Sequence, residues 1–305
     1  MTVYLDHAAT APLRPQARDA WLEATGVLGN PSSIHGSGQR ARRLLEDARE
    51  RIAAVLGCQP IEVVLTSGGT ESVNLALKGL WWARPSGHEQ IVLPDGEHHA
   101  TLDTVRWLVE HEGAEALAVP VDEVARIRAD LFAEALASPG AALATALVAN
   151  NEVGTVQDAV LLASLAAAAG VPLHLDAVAA LGHVPVDFAG WRGGLKGAGG
   201  LVALSISGHK IGAPVGTGAL VVSRSSSPSA LLHGGGQQRG LRSGTQDAAG
   251  ATALAVACEL ADAEREAENA RLGALAERLI AGVRDTVPAA ILLGDTVDRL
   301  SGNVH

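Results

Sequence analysis

The sequence has two cysteines, one methionine, one tyrosine and two phenylalanines in 305 residues. Two isolated thiols, Cys58 and Cys258, cannot build a disulfide framework or a paired-thiol metal site, and they set a reducing cytoplasm as the expected compartment. Aromatics amount to only 3%, so small aliphatic side chains must fill the core. Basic residues number 23 against 33 acidic ones, a formal charge of −10; this argues against nucleic-acid binding and against attraction to an anionic membrane. No uninterrupted apolar run reaches the ~18 residues of a membrane span. The start Met1-Thr2-Val3-Tyr4-Leu5-Asp6 lacks the basic and then apolar pattern of an export signal. Small molecules and proteins remain as expected partners.

What the chain has in abundance is alanine and glycine, with 35 glycines suited to tight turns and close backbone approach. Short apolar runs recur at Glu62–Thr66, Gln90–Leu93, Ala116–Pro120, Ala144–Val148, Pro172–Asp176, Val202–Ile206 and Ala219–Val222. Near-continuous runs of this length predict strands buried on both faces. Helical periodicity lies between them. It is clearest over Arg40–Leu56, where Leu44, Ala48, Ile52 and Val55 share one face. Strand and helix in alternation predict an α/β fold with a mainly parallel seven-stranded sheet. From Gln246 to Ala281 good helix formers dominate, predicting one or two long helices. An apolar run, Ala290–Leu293, follows, and a strand is expected to begin near Arg299. Gly190 to Gly200 reads as a glycine-rich surface loop; with no helix after it, it does not fit a dinucleotide fingerprint.

Polar groups collect just after the strands. Thr66-Ser67-Gly68-Gly69-Thr70-Glu71 joins a strand to a helix, a form that cradles phosphate on backbone N–H groups; a plain N-cap by Ser67 or Thr70 reads the same residues equally well. Asp176 closes an apolar strand, where a bare carboxylate needs a cationic partner or serves to cap a following helix. Asn150-Asn151-Glu152 and Glu97-His98-His99 stand after two further strands. Lys210, flanked by Ser207 and His209, follows another. A lysine removed from bulk water gives up its proton more readily, as Schiff-base formation with an aldehyde requires. A lysine for an aldehyde, a carboxylate for a pyridinium nitrogen, a glycine turn for a phosphate and an imidazole for stacking together describe a pyridoxal phosphate site.

These segments, with Tyr4–Thr10, Gly29–His35, His233–Gln237 and Arg242–Thr245, occur in an order that resembles the cysteine desulfurases of the NifS/IscS type, within the fold-type I, class V aminotransferase superfamily. The resemblance implies that Lys210 holds pyridoxal 5'-phosphate and shuttles protons, that Asp176 pairs with the pyridinium nitrogen, and that His98 stacks on the ring. It implies that Asn151 contacts the phenolic oxygen and that Gly69, Thr70, Ser207 and His209 hold the phosphate. Thr245 would reach the partner's site in a homodimer, and Asn30 would lie near the substrate. It further implies an N-terminal segment over 1–15 packing with a small domain, a cofactor-binding large domain over 16–246, and an incomplete α/β small domain over 247–305.

The reaction implied converts L-cysteine to L-alanine and leaves a persulfide on an enzyme cysteine, for delivery to an acceptor protein in iron–sulfur cluster or tRNA-thiolation pathways. In the family that cysteine sits in a C-terminal Ser-x-Cys loop, and an arginine near it binds the substrate carboxylate. Neither occurs in these 305 residues, so a truncated desulfurase with little activity is the expectation. Ala179 stands where many members have glutamine. A selenocysteine lyase or other class V aminotransferase, and a cofactor-binding scaffold without turnover, are the alternatives.

Overall fold

The computed structural model describes residues 3–305. Seven strands form one sheet: β1 (Val63–Thr66), β2 (Gln90–Pro94), β3 (Glu115–Val119), β4 (Ala141–Leu147), β5 (Pro172–Asp176), β6 (Gly200–Ser207) and β7 (Gly218–Val222). Their order is β1-β7-β6-β5-β4-β2-β3. Only β7 runs against its neighbours, pairing antiparallel with both β1 and β6. Two reversals leave β1 parallel to the rest, so the carboxyl ends of six strands share one edge.

Helices cover both faces. On one face α3 (Gly69–Trp82) and α4 (His99–Glu112) bury Val73, Leu77, Trp81, Val105 and Leu108 against β2 and the inner strands. The other face packs α2 (Gly36–Leu56), α5 (Ala129–Leu136), α6 (Ala159–Ala169) and α7 (Phe188–Arg192) around Ile52, Phe132, Leu162 and Phe188. Two separate apolar clusters with the sheet between them make a three-layer sandwich.

The helical region after Gln246 is a single helix, α8 (Ala248–Thr286). Its first turns bury Gly250, Ala251, Ala253, Leu254, Ala257, Cys258 and Ala261 against α2 and α1 (Pro15–Thr25). Small side chains let these axes approach closely. Arg51 of α2 grips Glu259 of α8 through two bonds of 2.8 and 2.6 Å.

Three expectations need correction. The run Ala116–Pro120 is not buried on both faces: it is the edge strand β3, largely exposed until Val119. Residues 299–305 form no strand; Arg299 makes one isolated bridge to Thr155, and Asn303 N turns back to Leu300 O at 3.1 Å. The glycine-rich segment begins inside the short helix α7 and ends inside β6 at the buried Gly200; between them Gly193, Gly194 and Gly197 lie in an exposed turn.

Candidate active site

The shared carboxyl edge collects the polar groups that the sequence scatters. A cavity of about 410 Å³ is lined by Gly69, Thr70, His98, Asn151, Asp176, Ser207, His209 and Lys210, with Ala9, Ser67, Gly68 and Ala179 among its other walls. Thr245 and Asn30 do not line it. Both are exposed, and Asn30 Oδ1 accepts from Ser32 N in its own turn.

The phosphate-cradle reading of the β1–α3 turn gains from its geometry. Gly68 is the N-cap with φ +148, and no side chain caps α3, which leaves its first N–H groups directed into the cavity edge. The alternative cap by Ser67 or Thr70 is absent. A Cβ on Gly69 would stand 2.7 Å from Val178 Cγ2, and one on Gly218 would stand 2.6 Å from Gly68 Cα. Ser207 Oγ, buried at the cavity wall, has no hydrogen-bond partner. An orphaned hydroxyl beside free helix N–H groups fits a phosphate ester.

Asp176 is 3% exposed. Burial pushes its carboxyl up to about 6, with Lys210 acting the other way. Its Oδ1 accepts from Val178 N at 2.8 Å; a turn, not a helix, follows, so it caps nothing. A protonated ring nitrogen would supply a further cation besides Lys210. Lys210 is half-buried, and burial lowers its ammonium below the usual lysine value against the pull of Asp6, Asp176 and Glu152. Its Nζ donates to Ala8 O, and to Ala9 O at 3.0 Å. His98 is the N-cap of α4, its Nδ1 accepting from Ala100 N at 3.0 Å. The proton of the neutral ring therefore sits on Nε2. Burial, then Lys210 and His99, lower its pKa and favour that neutral form.

Two structural devices escaped the reading of the sequence. The first is a strap: Ala11 N donates to His209 O and Arg14 N to Gly212 O, each at 2.9 Å, while Thr10 Oγ1 meets His209 Nδ1 at 3.2 Å. Residues 8–14 thus hold the lysine turn in place. The second is a polar rivet inside the sheet. His174 bonds Thr145 Oγ1 at 2.9 Å and Ser205 Oγ at 2.8 Å, joining β5 to β4 and β6 just below Asp176. Burial lowers its pKa to about 3, so the ring is neutral and fixed. A hydroxyl or imidazole at one position in each of three apolar runs was the available signal.

The lysine, carboxylate, imidazole and phosphate-cradle groups gathered on one cavity have the chemistry that suits pyridoxal phosphate, and the two cysteines lie elsewhere. Cys258 is fully buried in α8 and Cys58 half-buried beyond α2; burial pushes both thiols up to about 12.

Known proteins share this fold. Residues 3–302 match the family Aminotransferase class-V. The chain is 46% identical to an IscS-like cysteine desulfurase of Mycobacterium tuberculosis, over 99% of this chain and 76% of that protein. A solved NifS-like protein superposes with a TM-score of 0.91 at 30% identity, covering 99% of this chain and 80% of its own. A structure described as SspA in complex with cysteine gives a TM-score of 0.78 at 34% identity, covering 85% and 72%. The chain spans about three quarters of the length of such relatives. With its seven-stranded sheet of the fold-type I kind, it belongs to the class-V aminotransferase family and, within it, to the IscS/NifS-like cysteine desulfurases.

Proposed function

We propose that this chain binds pyridoxal 5'-phosphate at the carboxyl edge of its sheet and takes L-cysteine as its amino acid, in the family reaction that yields L-alanine and passes sulfur to a thiol. The observation that carries this is the convergence on one cavity of Lys210, Asp176, His98 and the uncapped N-terminus of α3. Bound there, the cofactor supplies an electron sink for the carbon skeleton of an amino acid. Gly69, Thr70, Ser207 and His209 hold its phosphate, and Asp176 holds a proton on its ring nitrogen. Lys210 would hold its aldehyde, and its amine is the group that would move protons at the substrate. His98 and Asn151 fix the ring from its face and its oxygen side. The bound SspA neighbour supports cysteine as the amino acid.

Sulfur leaves as the carbon–sulfur bond of cysteine breaks: a thiol and L-cysteine become a persulfide and L-alanine, with all hydrogens retained. Neither Cys58 nor Cys258 can be that thiol, because each is held protonated by burial and neither lines the cavity. We assign the chain to a cytoplasmic homodimer in which Thr245 reaches the partner's site, Asn30 to the neighbourhood of the substrate, and the sulfur to an acceptor protein of iron–sulfur cluster or tRNA-thiolation chemistry. Among the described residues no helix is long and apolar enough to cross a membrane.

The test is to load the 305-residue chain with pyridoxal phosphate, add L-cysteine, and follow visible absorbance and alanine together. The expected result is a prompt spectral change with at most a trace of alanine over many equivalents of cysteine. No spectral change would contradict the substrate, and sustained alanine release would contradict the exclusion of both cysteines.

A further inference from the structure

The turn between β2 and α4 buries a glutamate that the scheme above does not use. Glu97 is 6% exposed. Its Oε1 accepts from Leu147 N at 2.8 Å; among the described residues neither Oε2 nor Thr101 Oγ1, one turn further on, makes a well-aligned hydrogen bond, although the Thr101 hydroxyl is near enough to favour the carboxylate. An ionised carboxylate here would exchange its hydration shell for the Leu147 N–H and the nearby Thr101 hydroxyl, and burial outweighs both; a neutral acid loses much less.

The position of that single bond is informative. Leu147 stands opposite Asp176 in the β4–β5 pair, and the next residue, Val148, donates its N–H to Asp176 O at 2.8 Å. Glu97 directly precedes His98, the N-cap of α4. A second tie repeats the link: Asn150 Nδ2 donates to Gly96 O at 3.1 Å, beside Asn151. The groups placed at the ring's face, nitrogen and oxygen are therefore joined through the turn that Glu97 holds.

We propose that Glu97 is a positioning residue of this site, whose bond to Leu147 fixes His98 against the end of β4 that pairs with Asp176 of β5. The role rests on the cofactor reading given above. It also divides the charge between two carboxyl groups. Burial, reinforced by Asp176, pushes Glu97 up to about 8, while Lys210 favours ionisation of Asp176. Glu97 keeps the proton and Asp176 carries the charge, whereas a second carboxylate at Glu97 would oppose that charge.

The experiment compares the parent chain with Glu97→Gln and Glu97→Ala. Infrared difference spectra of the cofactor-free proteins at neutral pH should show a carboxylic-acid carbonyl band in the parent that both variants lack. Fluorescence titration should give Glu97→Gln an affinity for pyridoxal phosphate within about twofold of the parent, because the amide keeps an acceptor for Leu147 N, and the pH titration of its bound chromophore should be unchanged. Glu97→Ala should bind about tenfold more weakly, in line with one lost hydrogen bond and a freed donor. Absence of the acid band, a Glu97→Ala affinity equal to the parent's, or a Glu97→Gln as weak as Glu97→Ala would each overturn the inference. If Glu97→Ala does not fold, the band and the Gln variant still decide it. A parent that shows the band yet takes up no cofactor refutes the proposed function and, with it, the positioning role.

Discussion

Burial sets the chemistry of single residues here. Asp176, Glu97 and His174 are all removed from water, yet each answers differently: Asp176 has Lys210 as a counter-charge, Glu97 has a like-charged neighbour, and His174 has two hydroxyls and no charge. The consequence for Glu97 is measurable without any cofactor. Between the usual glutamate value of 4.5 and about 8 the folded chain keeps a proton that the unfolded chain has lost. Folding stability must then fall as pH rises through that window, by up to ~1.4 kcal/mol per unit from this one group. Glu97→Gln lacks that loss. Its stability should gain on the parent's as melting is followed from about pH 5 to pH 8, and a constant difference across the range would show that Glu97 is ionised throughout.

At the scale of elements, the site depends on how the strand ends are tied together. Gly212, with φ +81, ends the lysine turn, and a Cβ there would stand 2.6 Å from Arg14 Cγ and 2.9 Å from Pro12 O. Glycine is required because the strap over residues 8–14 passes directly against the backbone. Gly212→Ala should cost ~1–3 kcal/mol in urea unfolding from its left-handed backbone and this contact. An unchanged midpoint would mean that the strap yields freely. A second tie lies opposite: Asn303 Nδ2 donates to Asn151 O at 2.8 Å, and Leu300 N to Gly154 O at 2.8 Å, so residues 300–303 brace the turn that presents Asn151.

Over the whole molecule, the strands were readable because each is an apolar run closed by polar residues, and the site was readable because the polar residues carry complementary chemistry. Eight of the ten candidate residues line one cavity. The reversal of β7 was not readable, since an apolar run carries no sign of its direction; nor was the exposure of β3, which follows from its place at the sheet edge. Glu97, the His174 rivet and the strap depend on partners 29 to 202 residues away, and local pattern says nothing about such pairings. Thr245 and Asn30 lie outside this chain's cavity; for Thr245 that is in keeping with the homodimer proposed above.

The chain has three lysines, and they occupy different settings. Lys78 lies over the Trp107 ring at 4.2 Å, Lys196 sits in the exposed glycine-rich turn, and Lys210 lines the cavity. The central claim is that Lys210 anchors the cofactor. The direct measurement is borohydride reduction of the chain loaded with pyridoxal phosphate, followed by proteolysis and mass spectrometry. The account predicts one phosphopyridoxyl group per chain, on the peptide containing Lys210, and none on the same peptide from Lys210→Ala. Labelling spread over Lys78 and Lys196, or no stoichiometric labelling of Lys210, would contradict it.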